Sequence, residues 1–176
     1  VSVHIGQAPL QAVVIEGESD SQSLQVLVIR QDSTELVEAS ELKGLGNYDT
    51  VAALKKQFGQ KGVIISIGPC GEMKMAAATV AVTDNDGRPC RHAGRGGLGA
   101  VMGAKGLKAI VIDPQGARPL KAVDAPAFAK AVKEYTKIIQ SSKSTAFLQE
   151  NGTAGLVDVS QARGSMPTRH FSAGSY

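Results

Sequence analysis

A chain of 176 residues, 43% apolar and 20% charged, has room for one domain of ordinary size or two small halves, and its composition excludes a disordered tail and a collagen-like fibre. The net charge of +3, from 19 basic and 16 acidic residues, is too small to argue for nucleic acid, and 4% aromatics without Trp leave few platforms for stacking bases. No run approaches the roughly 18 apolar residues of a membrane span, and no charged segment followed by an apolar one reads as a signal peptide.

In chain order, the apolar run Ala12 to Glu16 predicts a short strand closed by Gly17, and Leu24 to Arg30 predicts a second. Thr34 to Ser40 is a weaker strand. Val51, Leu54 and Phe58 recur at helical spacing, which predicts a helix over Tyr48 to Phe58 with Gly59 as its C-cap. Val63 to Ile67 predicts a buried strand ended by Gly68-Pro69, and Ala76 to Thr83 another. Asp84 to Arg91 is polar turn chemistry. A glycine-rich stretch, Gly94 to Gly106, precedes a strand over Ala109 to Asp113. Asp124 caps an amphipathic helix reaching Gln140, with Phe128, Val132, Tyr135 and Ile139 on one face. A shorter helix comes next over Ser144 to Glu150, and Gly164 to Tyr176 reads as loop. Five or six strands with intervening helices, many strands being adjacent in sequence, predict an α+β fold of mixed sheets with packed helices.

The two cysteines, Cys70 and Cys90, make neither a disulfide framework nor a zinc site and read as reduced thiols in a cytoplasmic protein. Cys90 and His92 together are too few ligands for a metal. Met73, Met75 and Met102 read as core filler, and His4 and His170 as surface or interface residues. Lys105 and Lys108 fit either a solvated face or an anion site. The chain begins at Val1 and ends after a Gly/Ser-rich turn, which suggests a piece of something longer.

Gly94, Gly96 and Gly99 spell G-x-G-x-x-G, with Asp113 about where a ribose-binding acid would stand. The dinucleotide reading requires a strand running into Gly94, and the apolar pattern stops near Thr83. What the stretch offers in general is a site for an anion. Arg91 and Arg95 supply forked donors, glycines let a bulky group approach the backbone, and a helix starting near Gly97 would present N–H groups. A tight turn with solvent-facing arginines is the alternative, as is a non-catalytic module that binds a phosphate-bearing ligand or serves in assembly.

The stretch HAGRGGLGAVMGAKGLKAIVI, His92 to Ile112, resembles the segment R-x-A-G-R-G-G-[LV]-G-A-V-M-G-S-K-x-L-K-A-I of the tungsten-containing aldehyde:ferredoxin oxidoreductase family. LQAVVIEGES from Leu10, SIGPCGE from Ser66, NGTAG from Asn151 and GSMPTRHFSAGSY from Gly164 resemble other family segments in order and spacing. The resemblance spans essentially the whole chain.

The resemblance implies an incomplete N-terminal α+β domain with pseudo-twofold halves, here residues 1 to 118. Residues 119 to 176 would be a helical segment leading into the next domain. It implies a base for a tungsten (or molybdenum) bis-pterin cofactor with magnesium. The activity implied is oxidation of aldehydes to carboxylic acids, with electrons leaving through a [4Fe–4S] cluster to ferredoxin or another carrier. The cluster ligands would lie elsewhere in the parent polypeptide, which would be a homo-oligomer. Arg91, Gly94 and Arg95 match positions that contact the pterin phosphates. His92 matches the position whose main-chain carbonyl ligates magnesium, usually Ala. Ala104 stands for a family Ser and His170 for an Asn, which leaves the subfamily open.

Overall fold

The computed structural model describes residues 12–18, 23–115 and 121–176. The branched run Gln25–Ile29 forms β1, whose side chains alternate between two faces and are buried on both at its centre. It hydrogen-bonds antiparallel to β2, Thr34–Glu38, and parallel to β6, Leu107–Ile112. Strand β3, Val63–Ser66, lies antiparallel to β6. Strand β4, Val80–Val82, is antiparallel to β3, and β5, Arg91–Ala93, is antiparallel to β4. The result is one six-stranded mixed sheet in the order β2-β1-β6-β3-β4-β5.

Each face of the sheet has its own core. On one, Val28, Ile64 and Val111 pack with Val51 and Leu54 of helix α1, Asn47–Phe58, and with Leu42 of a 3-10 turn, Ser40–Leu42. On the other, Leu27, Ile67, Val80 and Ile112 pack with Met102 of helix α3, Leu98–Ala104. Helix α2, Pro69–Glu72, packs on α3. Helix α1 ends at Gly59, whose φ of +97° suits glycine and whose N–H donates to the Lys55 carbonyl.

Ala12 to Glu16 forms no strand, although Ile15 packs on the second core. Strand β4 begins at Val80 rather than Ala76, because the Ala78 carbonyl accepts from Gly99 N–H instead of joining a ladder. Polarity hides β5 completely: all three of its residues are exposed at the sheet edge. Met102 is core, but Met73 and Met75 are 59% and 47% exposed and fill no core. His4 lies outside the described residues.

The described residues fall into two compact units, one ending at Gln115 and one running from Lys121 to Tyr176. The second contains α4, Ala125–Ser141, α5, Lys143–Asn151, a 3-10 turn, Gly152–Leu156, and α6, Val157–Ala162. Asp124 caps α4 by accepting from Ala127 N–H at 2.9 Å, and Ser142 caps α5. The final segment closes on itself through an antiparallel bridge between Thr168 and Ala173. Among the described residues no helix is long and apolar enough to cross a membrane.

Candidate functional site

Strand β5, the glycine turn and α3 are consecutive in sequence, so Arg91, His92, Gly94 and Arg95 lie on one strip along the edge that β5 makes among the described strands. Alternation puts Arg91 and Ala93 on one face of β5 and His92 on the other. Arg91 shares the face of Val82, its cross-strand partner, and His92 that of Ala81. The His92 ring is fixed by a 2.9 Å hydrogen bond between Nδ1 and Thr79 Oγ1.

The backbone of His92 has a definite direction. Thr83 N–H donates to the Ile64 carbonyl at 3.0 Å, so the Thr83 peptide groups face β3. In an antiparallel ladder the direction alternates. Val82 and Val80 therefore face β5 and bond Arg91 and Ala93, their register partners. The N–H and C=O of His92, between them, point outward from the sheet edge.

The glycines divide into two groups. A Cβ on Gly97 would stand 2.5 Å from the Ala76 carbonyl oxygen, one on Gly99 2.6 Å from that of Thr79, and one on Gly103 2.0 Å from that of Gly71. These three are required by close packing of α3 on α2 and the segment after it. Gly96 is required by its φ of +81°. Gly94 meets neither requirement. Its φ lies outside the left-handed region, and a Cβ there would find nothing within 4 Å. It is the point of the strip where a ligand could approach the backbone.

The expectation of free N–H groups at the helix start needs correction. Gly99 N–H donates to Ala78 and those of Ala100 and Val101 to Gly97, so the first turn of α3 is largely satisfied internally. The cationic side chains are the available donors. Among the described residues no carboxylate pairs with Arg91 or Arg95, whereas Arg88 is held by Asp84 and Asp86 at 3.0 and 2.6 Å.

The turn leading into β5 is built on Asp84. One of its oxygens accepts from the Asp86 and Arg88 amides, both at 2.9 Å, and the other from Arg88 Nε and the Cys90 thiol, both at 3.1 Å. The Arg88 amide, the Cys90 thiol and the Arg88 side chain hold the Asp84 carboxyl well below the usual carboxylate range. The same bond to Asp84 pushes the Cys90 thiol up. Cys90 is therefore a protonated strut of the turn, and among the described residues no cluster of His, Cys, Asp and Glu could hold a metal. A concavity of about 730 Å³ beside this turn is lined by Asp84, Arg88, Arg91 and His92 among others, and reaches neither Gly94 nor Arg95.

A strand does run into Gly94, yet the dinucleotide arrangement does not form. Successive antiparallel pairings from β6 through β3 and β4 leave β5 running opposite to β6. The parallel strand pair of a βαβ unit is missing, and Asp113 ends β6 at the far end of the sheet from Gly94.

Neither lysine adds to the strip. Lys105 Nζ donates to the Gly17 carbonyl at 2.8 Å. Lys108 is fully buried and ion-paired with Glu72. Reading the sequence alone missed this pair, although a lysine inside the apolar strand Leu107–Ile112 was a visible signal. It also missed Thr79, which nothing in the pattern marks as the partner of His92.

The profile described as "Aldehyde ferredoxin oxidoreductase, N-terminal domain" matches residues 1–114. The chain is 38% identical over 167 residues to the tungsten-containing aldehyde ferredoxin oxidoreductase of Pyrococcus abyssi, and 37% identical over 167 residues to that of Thermococcus kodakarensis. Both alignments cover 94% of this chain and 26% of the relative, so the chain spans about a quarter of the length of the curated relatives it matches. Among solved structures it is similar to a chain of the active site complex BamBC of benzoyl coenzyme A reductase in complex with 1,5-dienoyl-CoA. The TM-score is 0.61 and the identity 32%, covering 68% of this chain and 17% of that one. The chain belongs to the aldehyde ferredoxin oxidoreductase family, and the strip from Arg91 to α3 lies within its N-terminal domain.

Proposed function

We propose that this domain is the cofactor base of a longer oxidoreductase and that the strip holds the phosphates of a tungsten bis-pterin. Arg91 and Arg95 would bind phosphate oxygens, Gly94 would admit them to the backbone, and the His92 carbonyl would ligate the accompanying magnesium. The observation that carries the reading is Gly94, open to solvent and unconstrained by packing or φ, between two arginines that have no carboxylate partner among the described residues. The outward carbonyl of His92 fits a cation at the same edge.

Shared use of the domain supports a cofactor role over a substrate role. Similar domains occur in proteins named for an aldehyde and for a benzoyl thioester, so the domain serves what those enzymes have in common. When bound, the cofactor supplies two-electron chemistry at its metal, as in aldehyde oxidation to a carboxylic acid, with electrons passing through a [4Fe–4S] cluster to ferredoxin or a similar carrier. This chain's residues do the holding. Each charge-assisted bond from an arginine contributes roughly 1.5–3 kcal/mol, so the two guanidiniums outweigh any single neutral contact. The Asp84 turn fixes where Arg91 enters the strip, and Thr79 keeps the His92 ring beside the sheet. The parent would work in the cytoplasm, with Cys70 and Cys90 as reduced thiols.

Titration of the 176-residue chain with magnesium pyrophosphate, monitored by phosphorus NMR, tests the reading. Binding that falls at least tenfold in Arg91→Ala and in Arg95→Ala, by the magnitude of one charge-assisted bond, is expected. Equal affinity in wild type and both variants would remove the phosphate assignment.

A further inference from the structure

Lys108 has no exposed surface, and its partner Glu72 is only 10% exposed. Removing two charges from water is unfavourable unless further hydrogen bonds complete the pair. Here they do. Lys108 Nζ also donates to the Leu45 carbonyl at 2.8 Å, and the Glu72 carboxylate accepts from Gly44 N–H at 2.9 Å. A bulge in β6 frees the lysine from the ladder with β1: Gln25 pairs with Leu107 and Val26 with Ala109, leaving Lys108 between them. Such a pair is weak evidence for stability and is better suited to fixing one arrangement.

Glu72 is the last residue of α2, and the segment from Met73 to Thr79 forms the wall of the strip. The Ala76 carbonyl lies against Gly97, and the Ala78 carbonyl accepts from Gly99 N–H at 3.0 Å. Gly71, one residue before Glu72, presses its carbonyl on Gly103. A displacement of Glu72 therefore reaches the glycine turn through a few rigid backbone contacts. We propose that the Lys108–Glu72 pair is the positioning device of the glycine strip. It ties the end of α2 to the 44–45 loop and to β6, and so sets where Gly94 to Gly97 stand. Its purpose rests on the phosphate reading above, but its test does not.

The test is residue-resolved amide hydrogen exchange on the 176-residue chain, comparing wild type, Glu72→Gln and the apolar pair Lys108→Met/Glu72→Leu. The apolar pair guards against simple unfolding, because replacing a buried ion pair by apolar groups is often neutral for stability. Exchange at Ala78 and Gly99 is expected to quicken about tenfold or more, while Val28 and Ile64 in the sheet keep their wild-type rates. An unchanged rate at Gly99 in the apolar pair, or an equal acceleration at Val28 and Ile64, overturns the proposal, the second outcome marking a general stabiliser. Magnesium pyrophosphate affinity is measured in parallel and is expected to fall in the same variants. If wild type binds no pyrophosphate, the phosphate reading fails while the exchange rates still decide the positioning role.

Discussion

Arg95 and His92 separate side-chain from main-chain roles. In a full-length protein carrying this domain, Arg95→Ala is expected to lower pterin and metal content well below wild type while the melting temperature stays close to it, since an exposed guanidinium with no carboxylate partner among the described residues contributes little to folding. His92→Ala removes the ring and the Thr79 bond but leaves the outward carbonyl, so cofactor content should change little. Elemental and pterin analysis of the purified variants checks both, and complete loss of cofactor in His92→Ala would make the imidazole a ligand. The Asp84 turn gives a pH test. Its carboxyl is held below the usual range by the Arg88 amide and the Cys90 thiol, so the ionised form is the one the fold favours. The turn's bonds are complete above the unfolded carboxyl value of about 3.9 and are lost as the pH falls through the lower folded value. Cys90 has the opposite sign: its raised thiol favours the protonated form, a contribution present below the unfolded value of about 8.5 and lost as the pH rises through the folded one. Alkylation of Cys90 at mildly alkaline pH should therefore be slower than in the unfolded chain, and Asp84→Asn should speed it. Mass-spectrometric rates that are equal in Asp84→Asn and wild type would contradict this.

At the scale of elements, the glycines of one motif have different duties and should respond differently. Gly94→Ala places a methyl in open space at an ordinary φ, so folding should tolerate it while pyrophosphate affinity falls. Gly103→Ala drives a methyl to 2.0 Å from the Gly71 carbonyl, which forces α2 and α3 apart and should cost about 1–3 kcal/mol. Thermal unfolding together with pyrophosphate titration distinguishes them: a destabilised Gly94→Ala, or a neutral Gly103→Ala, would show that the strip is packed otherwise. The same contrast explains what the sequence could reveal. Helices α1, α4 and α5 and strands β1 and β3 were legible because apolar periodicity and caps such as Gly59 and Asp124 act locally. The run Ala12 to Glu16 carries the same apolar signal without a ladder to join, and α2 is a single turn too short for periodicity. Strand β5 was hidden because three exposed residues at an edge have no apolar face to display. That Arg91, His92, Gly94 and Arg95 stand together was legible because they are near neighbours in one glycine-arginine motif; the roles proposed for them await the titrations above. The lysine–glutamate pair beneath them was not, since 36 residues separate partners that meet only once the sheet has formed.

For the whole molecule, the decisive quantity is how much of a polyanion this chain can grip by itself. Its charge balance makes no general attraction, the net charge being only +3, and on the proposed reading the positive charge that grips phosphate is local to Arg91 and Arg95. Two charge-assisted contacts at roughly 1.5–3 kcal/mol each correspond to about two to four orders of magnitude in affinity. On the proposed reading that suffices for a weak pyrophosphate complex and falls far short of permanent retention of a cofactor bearing two pterins. Thiolate supply sets a second bound. A [4Fe–4S] cluster normally takes about four cysteines, and this chain has two, Cys70 and Cys90, the latter engaged as a protonated donor to Asp84. Made under anaerobic conditions as the 176-residue chain, it should fold, hold no iron–sulfur cluster, retain no stoichiometric tungsten and oxidise no aldehyde. Elemental analysis, the visible spectrum and an aldehyde-dependent dye-reduction assay measure these outcomes. Stoichiometric tungsten in the folded chain would mean that the strip and its surroundings make a complete cofactor site, and the reading of this domain as one side of a larger cradle would have to be abandoned.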